Sequence, residues 1–314
     1  MVMTMEHWDL IIMGAGPAGL TAGLYAARSG LKTLVLEKKV PGGAIIDTPL
    51  VENYPGFESI SGRDLADKMA KQCKKAGAKI NELEKVVELD LEGEKKVVRT
   101  NRTVYTASAV IVASGSHYIT LGVPGETEFR GRGVSYCPLC DGAFFKGRNV
   151  LVVGGGNSAV VSARYLANIA SHVRLAHRRD QLRAAEMLVK DLVAQGVEIM
   201  WNIELKEVKG DTKVKGVILV NNKTGETTEV EVDGVFVQVG EAPNSQVAKE
   251  AGIEVDEAGY IIVDSRQRTN IDGVYAAGDV TIGLVKQIGT AVGEAIIAAG
   301  EAFGYIKRPY YYKT

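Results

Sequence analysis

Two of the three cysteines, Cys137 and Cys140, are separated by only two residues, in SYCPLCDG, and Asp141 follows the second. A CxxC pair can bind a metal, form a structural disulfide, or alternate between disulfide and dithiol. A metal site requires about four ligands, but the sequence offers one such pair, a distant Cys73 and an isolated His117, so no metal is expected. A structural bridge across two residues closes too short a loop to constrain the unfolded chain. The redox interpretation is therefore favoured, while the other two remain open.

The elements that must position this pair occur twice along the chain. The first copy is DLIIMGAGPAGLTAGLYAARSGLKTLVLE and the second is NVLVVGGGNSAVVSARYLANIASHVRLAHRR. Each opens with a wholly apolar run (10–13 and 150–153), the pattern of a strand buried on both faces of a parallel sheet. A glycine-rich turn, a helical stretch and a second apolar strand follow in each copy. In the first copy, alanines let the helix lie close to the sheet, and Gly30 stands where a helix C-cap is expected.

The two glycine-rich turns have the spacing of dinucleotide-binding turns. The first is GAGPAG, with Gly14, Gly16 and Gly19, and the second is GGGNSA, with Gly154 and Gly156. One glycine makes the tight turn, the next lets a pyrophosphate approach the backbone, and the third position allows close packing of helix on strand. The pyrophosphate then meets the free N–H groups at the helix N-terminus. Because a strand precedes each turn and a helix follows it, both are predicted to bind a dinucleotide.

The ends of the second strands distinguish the two turns. Glu37 and His177 each lie 23 positions after the first glycine of their turn. An acid there accepts hydrogen bonds from a ribose 2′-OH, so the first unit is predicted to hold a plain adenine dinucleotide. In the second unit a cluster of cations suits a 2′-phosphate and predicts NADPH; the cluster is His177, Arg178, Arg179 and Arg183. The alternatives are a surface acid at a strand end and a solvated basic patch.

Composition excludes several classes of function. Hydrophobic residues make up 46% and charged residues 24%, as in an ordinary globular protein, and the formal net charge is −1. This balance predicts no general attraction to nucleic acid or to an anionic membrane surface, and no apolar run reaches the length of a membrane span. The N-terminal MVMTMEHWDLIIMGAG lacks a basic segment ahead of its apolar run, so it is interpreted as a first strand rather than a signal peptide. A cytoplasmic location is expected, where thiols are mostly reduced.

Two dinucleotide turns and a CxxC pair together indicate an electron path from a nicotinamide to a disulfide. At this point the chain resembles the low-molecular-weight thioredoxin reductases, class II members of the pyridine nucleotide-disulfide oxidoreductases, over nearly its whole length. The segments that carry the resemblance are GAGPAGLTAGLYAARSG, VENYPGF (51–57), VASG (112–115), SYCPLCDG, GGGNSA, HRRDQLRA (177–184), VGEAPN (239–244) and YAAGDV (275–280).

The resemblance implies an α/β fold of two Rossmann-like FAD/NAD(P)-binding domains of the three-layer ββα type. An NADPH domain with the CxxC pair, residues 119–242, is inserted into a FAD domain split into residues 1–118 and 243–314. The chain would cross between them near residues 117–118 and 240–242. By the same resemblance, the NADPH domain rotates about these crossovers to exchange nicotinamide and cysteines over the flavin, and a homodimer is expected.

The resemblance also implies the cofactor contacts. Asp279 would lie beside the ribitol and pyrophosphate of FAD, and the helix predicted over 288–303 would direct its N-terminus at the flavin. The full set implied for FAD is Gly14, Gly16, Pro17, Ala18, Gly19, Glu37, Lys38, Gly42, Gly43, Ala44, Asn53, Ala113, Gly115, Gly278, Asp279, Lys286, Gln287 and Ile288. The set for NADPH, the electron-donating substrate, is Gly154, Gly156, Asn157, Ser158, His177, Arg178, Arg179 and Arg183.

For the redox pair, the resemblance assigns a role to each residue. Cys140 would lie against the flavin, and Cys137 would attack the disulfide of thioredoxin or a thioredoxin/glutaredoxin-like protein through a mixed disulfide. Asp141 would act as the acid and base for the thiols, although it also suits a helix N-cap. Cys73 lies in a stretch with amphipathic helical periodicity and is predicted to be a structural thiol outside the electron path.

The sequence departs from the family pattern at flavin and nucleotide contacts. Ala44 stands where Gln is frequent, Lys286 where Arg is frequent, and Asn157 where Asp is frequent; Pro-Leu separates the cysteines in place of Ala-Thr. These changes can alter redox potentials without threatening the fold. Three alternatives remain: the same reductase with ferredoxin or a deazaflavin as donor, a flavin-dependent dithiol oxidase, and a non-enzymatic redox sensor. The retained HRR cluster argues against the first two.

Overall fold

The computed structural model describes residues 6–48, 50–283 and 285–308. Contacts along the chain divide it into two compact units. The first comprises the described residues up to His117 and those from Ala242 onward, and the second runs from Tyr118 to Glu241. The chain therefore leaves the first unit, builds the second and returns. Which dinucleotide each unit serves stays a prediction at this point.

The strands and helices alternate along much of the chain. The strands are β1 Glu6–Met13, β2 Thr33–Leu36, β3 Lys79–Asn81, β4 Val86–Asp90, β5 Lys96–Thr100, β6 Val104–Val112, β7 Ser116–Tyr118, β8 Val134–Ser135, β9 Asn149–Gly154, β10 His172–His177, β11 Glu198–Trp201, β12 Ile203–Gly210, β13 Val214–Asn221, β14 Thr227–Glu231, β15 Gly234–Gln238, β16 Glu241–Pro243 and β17 Val274–Ala276. The helices are α1 Pro17–Arg28, α2 Gly62–Lys75, α3 Pro138–Asp141, α4 Asn157–Ala167, α5 Glu186–Ala194, α6 Gln246–Glu250 and α7 Ile288–Lys307.

In the first unit, a parallel sheet forms around the predicted first strand. Strands β3, β2, β1 and β6 lie side by side in that order and run parallel, with β17 parallel to the C-terminal half of β6. An antiparallel pair, β4 and β5, continues from the N-terminal half of β6. Leu10, Ile11 and Ile12 are fully buried, because side chains on both faces of a central parallel strand meet packed layers.

Helices cover one face of this sheet and the antiparallel strands the other. The small side chains of α1 and α7, with α2, pack on one face around Leu10 and Ile12 of β1. The opposite face packs on residues of β4, β5 and the segment 248–280, around Ile11. Ala22, Ala26, Ala295 and other alanines let the backbones of α1 and α7 come close to each other and to the sheet. The helix predicted over 288–303 is confirmed within α7, and Gly30, at φ +80°, follows the end of α1 as predicted.

The second unit repeats the same three layers. Strands β11, β10, β9, β15 and β8 form a parallel sheet, and β12, β13 and β14 form a separate antiparallel sheet. One core lies between the parallel sheet and the helices α4 and α5. A second core, around Phe129, Leu151 and Val217, lies between the two sheets. The predicted α/β class with three-layer Rossmann-like units is therefore confirmed.

Short strands mark the two points at which the chain passes from one unit to the other. Strand β7 pairs with β16 to form a two-stranded sheet. On the first unit's side, the side-chain amide of Asn244 donates to the carbonyl of Ser114 at 2.9 Å, and the Ser114 hydroxyl donates to the carbonyl of Asn244 at 2.8 Å. None of the helices in the described ranges has the length and apolar character needed to cross a membrane.

Candidate active site

The first glycine-rich turn connects β1 to α1 and is closed tightly by its glycines. Gly14 has a φ of +105°, and a Cβ there would lie 2.3 Å from the carbonyl oxygen of Ala113. A Cβ at Gly19 would lie 1.8 Å from the carbonyl oxygen of Gly14, so α1 crosses the strand end at backbone contact. Gly16 is the N-cap and Pro17 the first helical residue, with no side chain capping the N-terminus. The helix therefore presents uncapped N–H groups, the arrangement that binds a phosphate.

Glu37 is fixed beside this turn, directly after β2. The side chain is buried; one carboxylate oxygen accepts from the N–H of Ala15 at 2.9 Å, and the other accepts from the N–H of Lys39 at 2.8 Å. A carboxylate has about four acceptor positions, so two remain for hydroxyl groups. The position and the orientation both suit a ribose, as the sequence predicts.

Gly42 and Gly43 lie on the other side of the first glycine-rich turn and pack against it. The N–H of Gly42 donates to the carbonyl of Ala15 at 2.7 Å. Gly43 has a φ of +60°, and a Cβ there would lie 3.0 Å from the Cα of Gly16. The backbone at Gly42 and Gly43 therefore lies directly against the backbone at Ala15 and Gly16. Side chains larger than hydrogen at these glycines would occupy the space at this contact. Ala44 follows at an exposed position in the 3-10 helix Gly43–Asp47.

The segment YAAGDV, residues 275–280, reaches the same turn from the C-terminal part of the chain. Gly278, at φ +81°, lies so close to α1 that a Cβ on it would be 2.9 Å from the Cβ of Ala18. Its N–H donates to the Glu294 carboxylate on α7 at 2.7 Å. Burial raises the pKa of the Glu294 carboxyl, an effect opposed by the Gly278 N–H and by Lys286. The ammonium of Lys286 donates to the backbone carbonyls of Asp279, at 3.2 Å, and of Thr281.

The N-terminus of α7 carries two more of the predicted flavin contacts. Gln287 is the N-cap and forms a capping box with Thr290. The Asn53 side-chain amide donates to the Gln287 side chain at 3.2 Å, so these two predicted residues are hydrogen-bonded to each other. The structure therefore brings together part of the predicted FAD set from both chain segments around one turn within the first unit: Gly14, Gly16, Ala18, Gly19, Glu37, Gly42, Gly43, Ala113 and Gly278. Glu294 was missed by sequence reasoning, although a lone acid in the otherwise small and apolar stretch IGTAVGEAIIAAG was a usable signal.

The second glycine-rich turn connects β9 to α4 in the second unit. A Cβ at Gly154 would lie 2.4 Å from the carbonyl oxygen of Gln238, whereas Gly156, the N-cap of α4, faces open space. Asn157 uses its side-chain oxygen to accept the N–H of Ala185 at 3.1 Å, and Ser158 is exposed in the first helical turn. As in the first unit, no side chain caps the helix N-terminus.

The structure places the ring of His177 against two backbone carbonyls of the second unit. The ring is buried, with Nδ1 2.9 Å from the carbonyl oxygen of Gly154 and Nε2 2.9 Å from that of Gln181. A Cβ at Gly155 would overlap the ring, at 2.0 Å from one of its carbons. Both ring nitrogens therefore face backbone carbonyls, and the contact of His177 with NADPH stays a prediction. Its neighbour Trp201 meets the ring edge on, with centroids 6.3 Å apart.

The three arginines of the predicted cluster remain exposed on a segment that is held by its backbone. We name residues 178–185 the basic loop. The N–H of Arg183 donates to the carbonyl of Gly155 at 2.8 Å, and the side-chain amide of Asn222 donates to the carbonyl of Arg178 at 2.7 Å. The carbonyl of Arg179 accepts from the N–H of Asn202 at 3.1 Å. Exposed guanidinium groups on a fixed backbone beside a helix N-terminus can bind a phosphate by charge-assisted hydrogen bonds.

The two cysteines form a disulfide at the start of the short helix α3. Cys137 and Cys140 are bonded, with Cα atoms 5.2 Å apart. The N–H of Cys140 donates toward the Cys137 sulfur at 3.2 Å, a contact that favours negative charge on that sulfur when the bond opens. Leu139, between them, is largely exposed. Among the described residues, no group of three or more His, Cys, Asp or Glu side chains could hold a metal ion.

Asp141 and Ser135 form a hydrogen-bonded pair next to the disulfide. The Ser135 hydroxyl donates to the Asp141 carboxylate at 2.6 Å and accepts from the N–H of Cys137 at 3.1 Å. Burial raises the pKa of Asp141, and the hydrogen bond from Ser135 partly opposes this rise. A raised pKa brings the carboxyl group closer to the pH range in which thiols exchange protons. Sequence reasoning missed Ser135, since nothing in its spacing from Asp141 marks a contact.

The residue before the first cysteine is anchored as well. The Tyr136 hydroxyl donates to the buried carboxylate of Glu126 at 2.8 Å. Burial is the larger cause of the raised pKa of this phenol, and the neighbouring Glu126 carboxylate raises it further. Glu126 also accepts from the N–H groups of Leu121 and Gly122, at 3.0 and 2.7 Å. The side-chain amide of Gln238 donates to the carbonyl of Tyr136 at 2.7 Å. The cysteine segment is therefore held firmly to the parallel sheet of its unit.

Cys73 lies away from this pair, fully buried on α2 in the first unit and outside any disulfide. Burial raises the pKa of its thiol to about 11. The sulfur packs against α1, where a Cβ at Gly23 would lie 2.7 Å from it. The structure thus places it as a packing residue.

Comparison with known proteins matches this arrangement to one family. Residues 8–295 match the pyridine nucleotide-disulphide oxidoreductase family. The chain is 45% identical over 304 residues to the thioredoxin reductase of Bacillus subtilis (strain 168), covering 96% of this chain and 95% of the relative. The crystal structure of thioredoxin reductase from Streptococcus pyogenes MGAS5005 matches at 43% identity, covering 96% and 99%, with a TM-score of 0.93. A thioredoxin reductase from Giardia duodenalis matches at 35% identity, covering 96% and 99%, with a TM-score of 0.91.

Proposed function

Because the chain belongs to the pyridine nucleotide-disulphide oxidoreductase family, we propose that it is an NADPH-dependent thioredoxin reductase. In this function, electrons pass from NADPH through FAD to the Cys137–Cys140 disulfide and on to a disulfide of thioredoxin or a thioredoxin/glutaredoxin-like protein. The observation that carries the proposal is that disulfide, with the half-buried carboxyl of Asp141 beside it, in one unit with the second glycine-rich turn. The similar proteins named thioredoxin reductase support it independently.

The first unit is proposed to hold FAD. The cradle formed by the backbones at Gly14, Gly16 and Gly43 suits a pyrophosphate, and the carboxylate of Glu37 suits the adenosine ribose. Gly278, held by Glu294, lines the same turn. When bound there, FAD would supply a carrier that accepts a hydride from a nicotinamide and passes an electron pair to a disulfide. The residues of the first unit bind and orient it; they perform no bond chemistry themselves.

The second unit is proposed to bind NADPH. The uncapped N-terminus of α4 suits the pyrophosphate, and the exposed arginines of the basic loop suit the 2′-phosphate. Ferredoxin and deazaflavins lack the 2′-phosphate that these arginines suit, so the arginines count against them as electron donors. The same reasoning counts against a dithiol oxidase, which passes electrons to oxygen and requires no NADPH.

The cysteines and Asp141 are proposed to carry the thiol chemistry. Reduction breaks the Sγ–Sγ bond with two electrons, which Cys140 receives first. Cys137 is assigned the attack on the partner disulfide, because the Cys140 N–H lies against its sulfur and favours its thiolate. Asp141 protonates a released sulfur and later accepts the proton of the attacking thiol. The partner's disulfide then breaks, and the Cys137–Cys140 bond forms again.

A reduction assay tests the proposal. The purified, FAD-loaded protein should oxidise NADPH only when an oxidised thioredoxin is present, and free thiols should appear in the thioredoxin in equal amount. Cys137→Ser and Cys140→Ser should each abolish this turnover, and Cys73→Ala, the matched control outside the pair, should retain it. Turnover that survives Cys137→Ser would overturn the proposal. We extend the proposal to a cytoplasmic homodimer on family grounds, which sedimentation and cell fractionation can test.

A further inference from the structure

We propose that Ser135 is a positioning residue for this chemistry, which holds Asp141 and Cys137 in one hydrogen-bonded unit and sets the pH range in which Asp141 supplies protons to the cysteine pair. The proposal rests on the proposed function for the role of Asp141. The contacts that support it are independent of any cofactor or partner.

The geometry places Ser135 between the acid and the first cysteine. Ser135 lies on β8, whose pairing with β15 sets it opposite Phe236, and it is 5% exposed. A hydroxyl has one hydrogen to donate. That hydrogen is directed at the Asp141 carboxylate, 2.6 Å away, since the competing carbonyl of Cys137 is 3.5 Å away. The oxygen accepts from the Cys137 N–H at 3.1 Å. One side chain therefore fixes both the acid and the backbone of the cysteine.

The electrostatics give the serine a defined effect. Burial raises the pKa of Asp141, and the Ser135 hydroxyl lowers it by stabilising the carboxylate. Ser135 of β8 contacts Asp141 directly. The 3-10 helix Gly142–Phe145 and α4 pack against α3, and α4 brings the titratable Tyr165 and the apolar Leu166 against the adjoining Gly142. The two cysteines become titratable groups only when the disulfide is open. Ser135 is thus the polar group that opposes burial at this carboxyl.

The proton balance shows why this matters. The overall step is NADPH plus one proton plus the disulfide, giving NADP⁺ and two thiols. The Sγ–Sγ bond breaks, the electron pair and one proton equivalent come from NADPH as hydride, and the other proton comes from solvent. We assign Asp141 to deliver that proton to the released sulfur. Its carboxylate later recovers a proton from the attacking thiol, and over a full turnover the solvent proton ends on a thiol released by the partner. Delivery requires the neutral acid, so a group that lowers the pKa of Asp141 confines delivery to lower pH.

The test is a comparison of Ser135→Ala with the wild type by two measurements. The first follows the Asp141 carboxyl directly, by infrared difference or carbon-13 NMR titration of the oxidised protein, with Asp141→Asn to assign the signal. The second is the pH profile of thioredoxin-dependent NADPH oxidation. We expect Ser135→Ala to raise the pKa of Asp141 and to move the high-pH limb of the profile upward by the same amount. Ser135→Thr, which keeps the hydroxyl, should restore both.

Two results would overturn the proposal. One is an unchanged Asp141 titration in Ser135→Ala; the other is a rate lowered by the same factor at every pH, which is what a purely structural serine would produce. Should Ser135→Ala fail to fold, Ser135→Thr can be compared with Ser135→Val. The Thr and Val side chains have nearly the same shape, and only Thr carries a hydroxyl. A wild-type protein that reduces no thioredoxin would refute the proposed function, while the carboxyl titration would still report on the Ser135–Asp141 contact.

Discussion

The imidazole of His177 lies against the second glycine-rich turn, with Nδ1 2.9 Å from the carbonyl oxygen of Gly154. Its other nitrogen lies 2.9 Å from the carbonyl oxygen of Gln181, in the middle of the basic loop. A single buried ring therefore joins the nucleotide-binding turn to the loop that carries the exposed arginines. We therefore expect the relative position of the predicted pyrophosphate and 2′-phosphate sites to depend on this residue.

Replacing His177 with Ala is expected to loosen the basic loop and weaken NADPH binding. A ring N–H that donates to one of the two carbonyls contributes about 1 kcal/mol, and its loss together with the ring's packing should raise the KM for NADPH about 5-fold or more. The KM for NADH should change less, because NADH lacks the 2′-phosphate. Steady-state kinetics with both nucleotides measures the split. His172→Ala, at the exposed start of the same strand, is the matched control; equal KM values for NADPH in His177→Ala and wild type would contradict the positioning role.

The first glycine-rich turn should tolerate no side chain at Gly19. A Cβ there meets the carbonyl oxygen of Gly14 at 1.8 Å, a backbone atom that cannot rotate away. Gly19→Ala is expected to lower the free energy of unfolding by about 3 kcal/mol and to reduce FAD retention, measured by urea titration and by flavin absorbance after gel filtration. Gly293→Ala, an exposed glycine of α7 with open space around it, should gain about 0.5–1 kcal/mol. A fully stable, FAD-replete Gly19→Ala would show that the turn is not closed in this way.

The buried thiol of Cys73 should be inert to alkylation. With a pKa of about 11, it is almost wholly protonated at about pH 8, and the thiolate is the reactive form. After mild reduction, iodoacetamide followed by mass spectrometry should find label on Cys137 and Cys140 but not on Cys73. Unfolding in urea should expose Cys73 and allow its labelling, which serves as the internal control. Rapid labelling of Cys73 in the folded protein would contradict the burial that raises its pKa.

Asp141 should make the protein less stable as the pH rises. Burial raises its folded-state pKa above the unfolded value, so folding favours the neutral acid. Below the unfolded pKa this preference is fully present, and it is lost as the pH rises through the folded pKa and the buried group becomes charged. Asp141→Asn should therefore gain stability relative to wild type as the pH rises above the unfolded carboxyl pKa of about 4, measured by urea unfolding. Asp180→Asn, an exposed acid, controls for loss of one charge; identical pH dependence of wild type and Asp141→Asn would contradict the prediction.

Much of the fold follows from local sequence, because the deciding signals are local. The apolar runs that became β1 and β9, the glycines after them, and the small residues of α1 and α7 each specify an element within about twenty residues. The three-layer arrangement could be predicted only from the family resemblance, because no single segment of the sequence specifies the antiparallel strands that cover the second face of the sheet.

The site was predicted less completely, for a physical reason. Position at a strand end places His177 near the second glycine-rich turn. It does not say which way the ring nitrogens face, and the carbonyls that they meet come from other segments. Ser135 and Glu294 owe their roles to partners 6 and 16 positions away, which tertiary packing brings together.

The most direct test of the electron path is an anaerobic titration of the FAD-loaded protein with NADPH, followed by addition of oxidised thioredoxin. We predict that NADPH bleaches the yellow flavin absorbance, that thioredoxin restores it in the wild type, and that thioredoxin fails to restore it in Cys137→Ser. Failure of NADPH to bleach a flavin that dithionite reduces, with the reduced protein still able to reduce thioredoxin, would contradict the account, because the arginines of the basic loop would then serve something other than the electron donor.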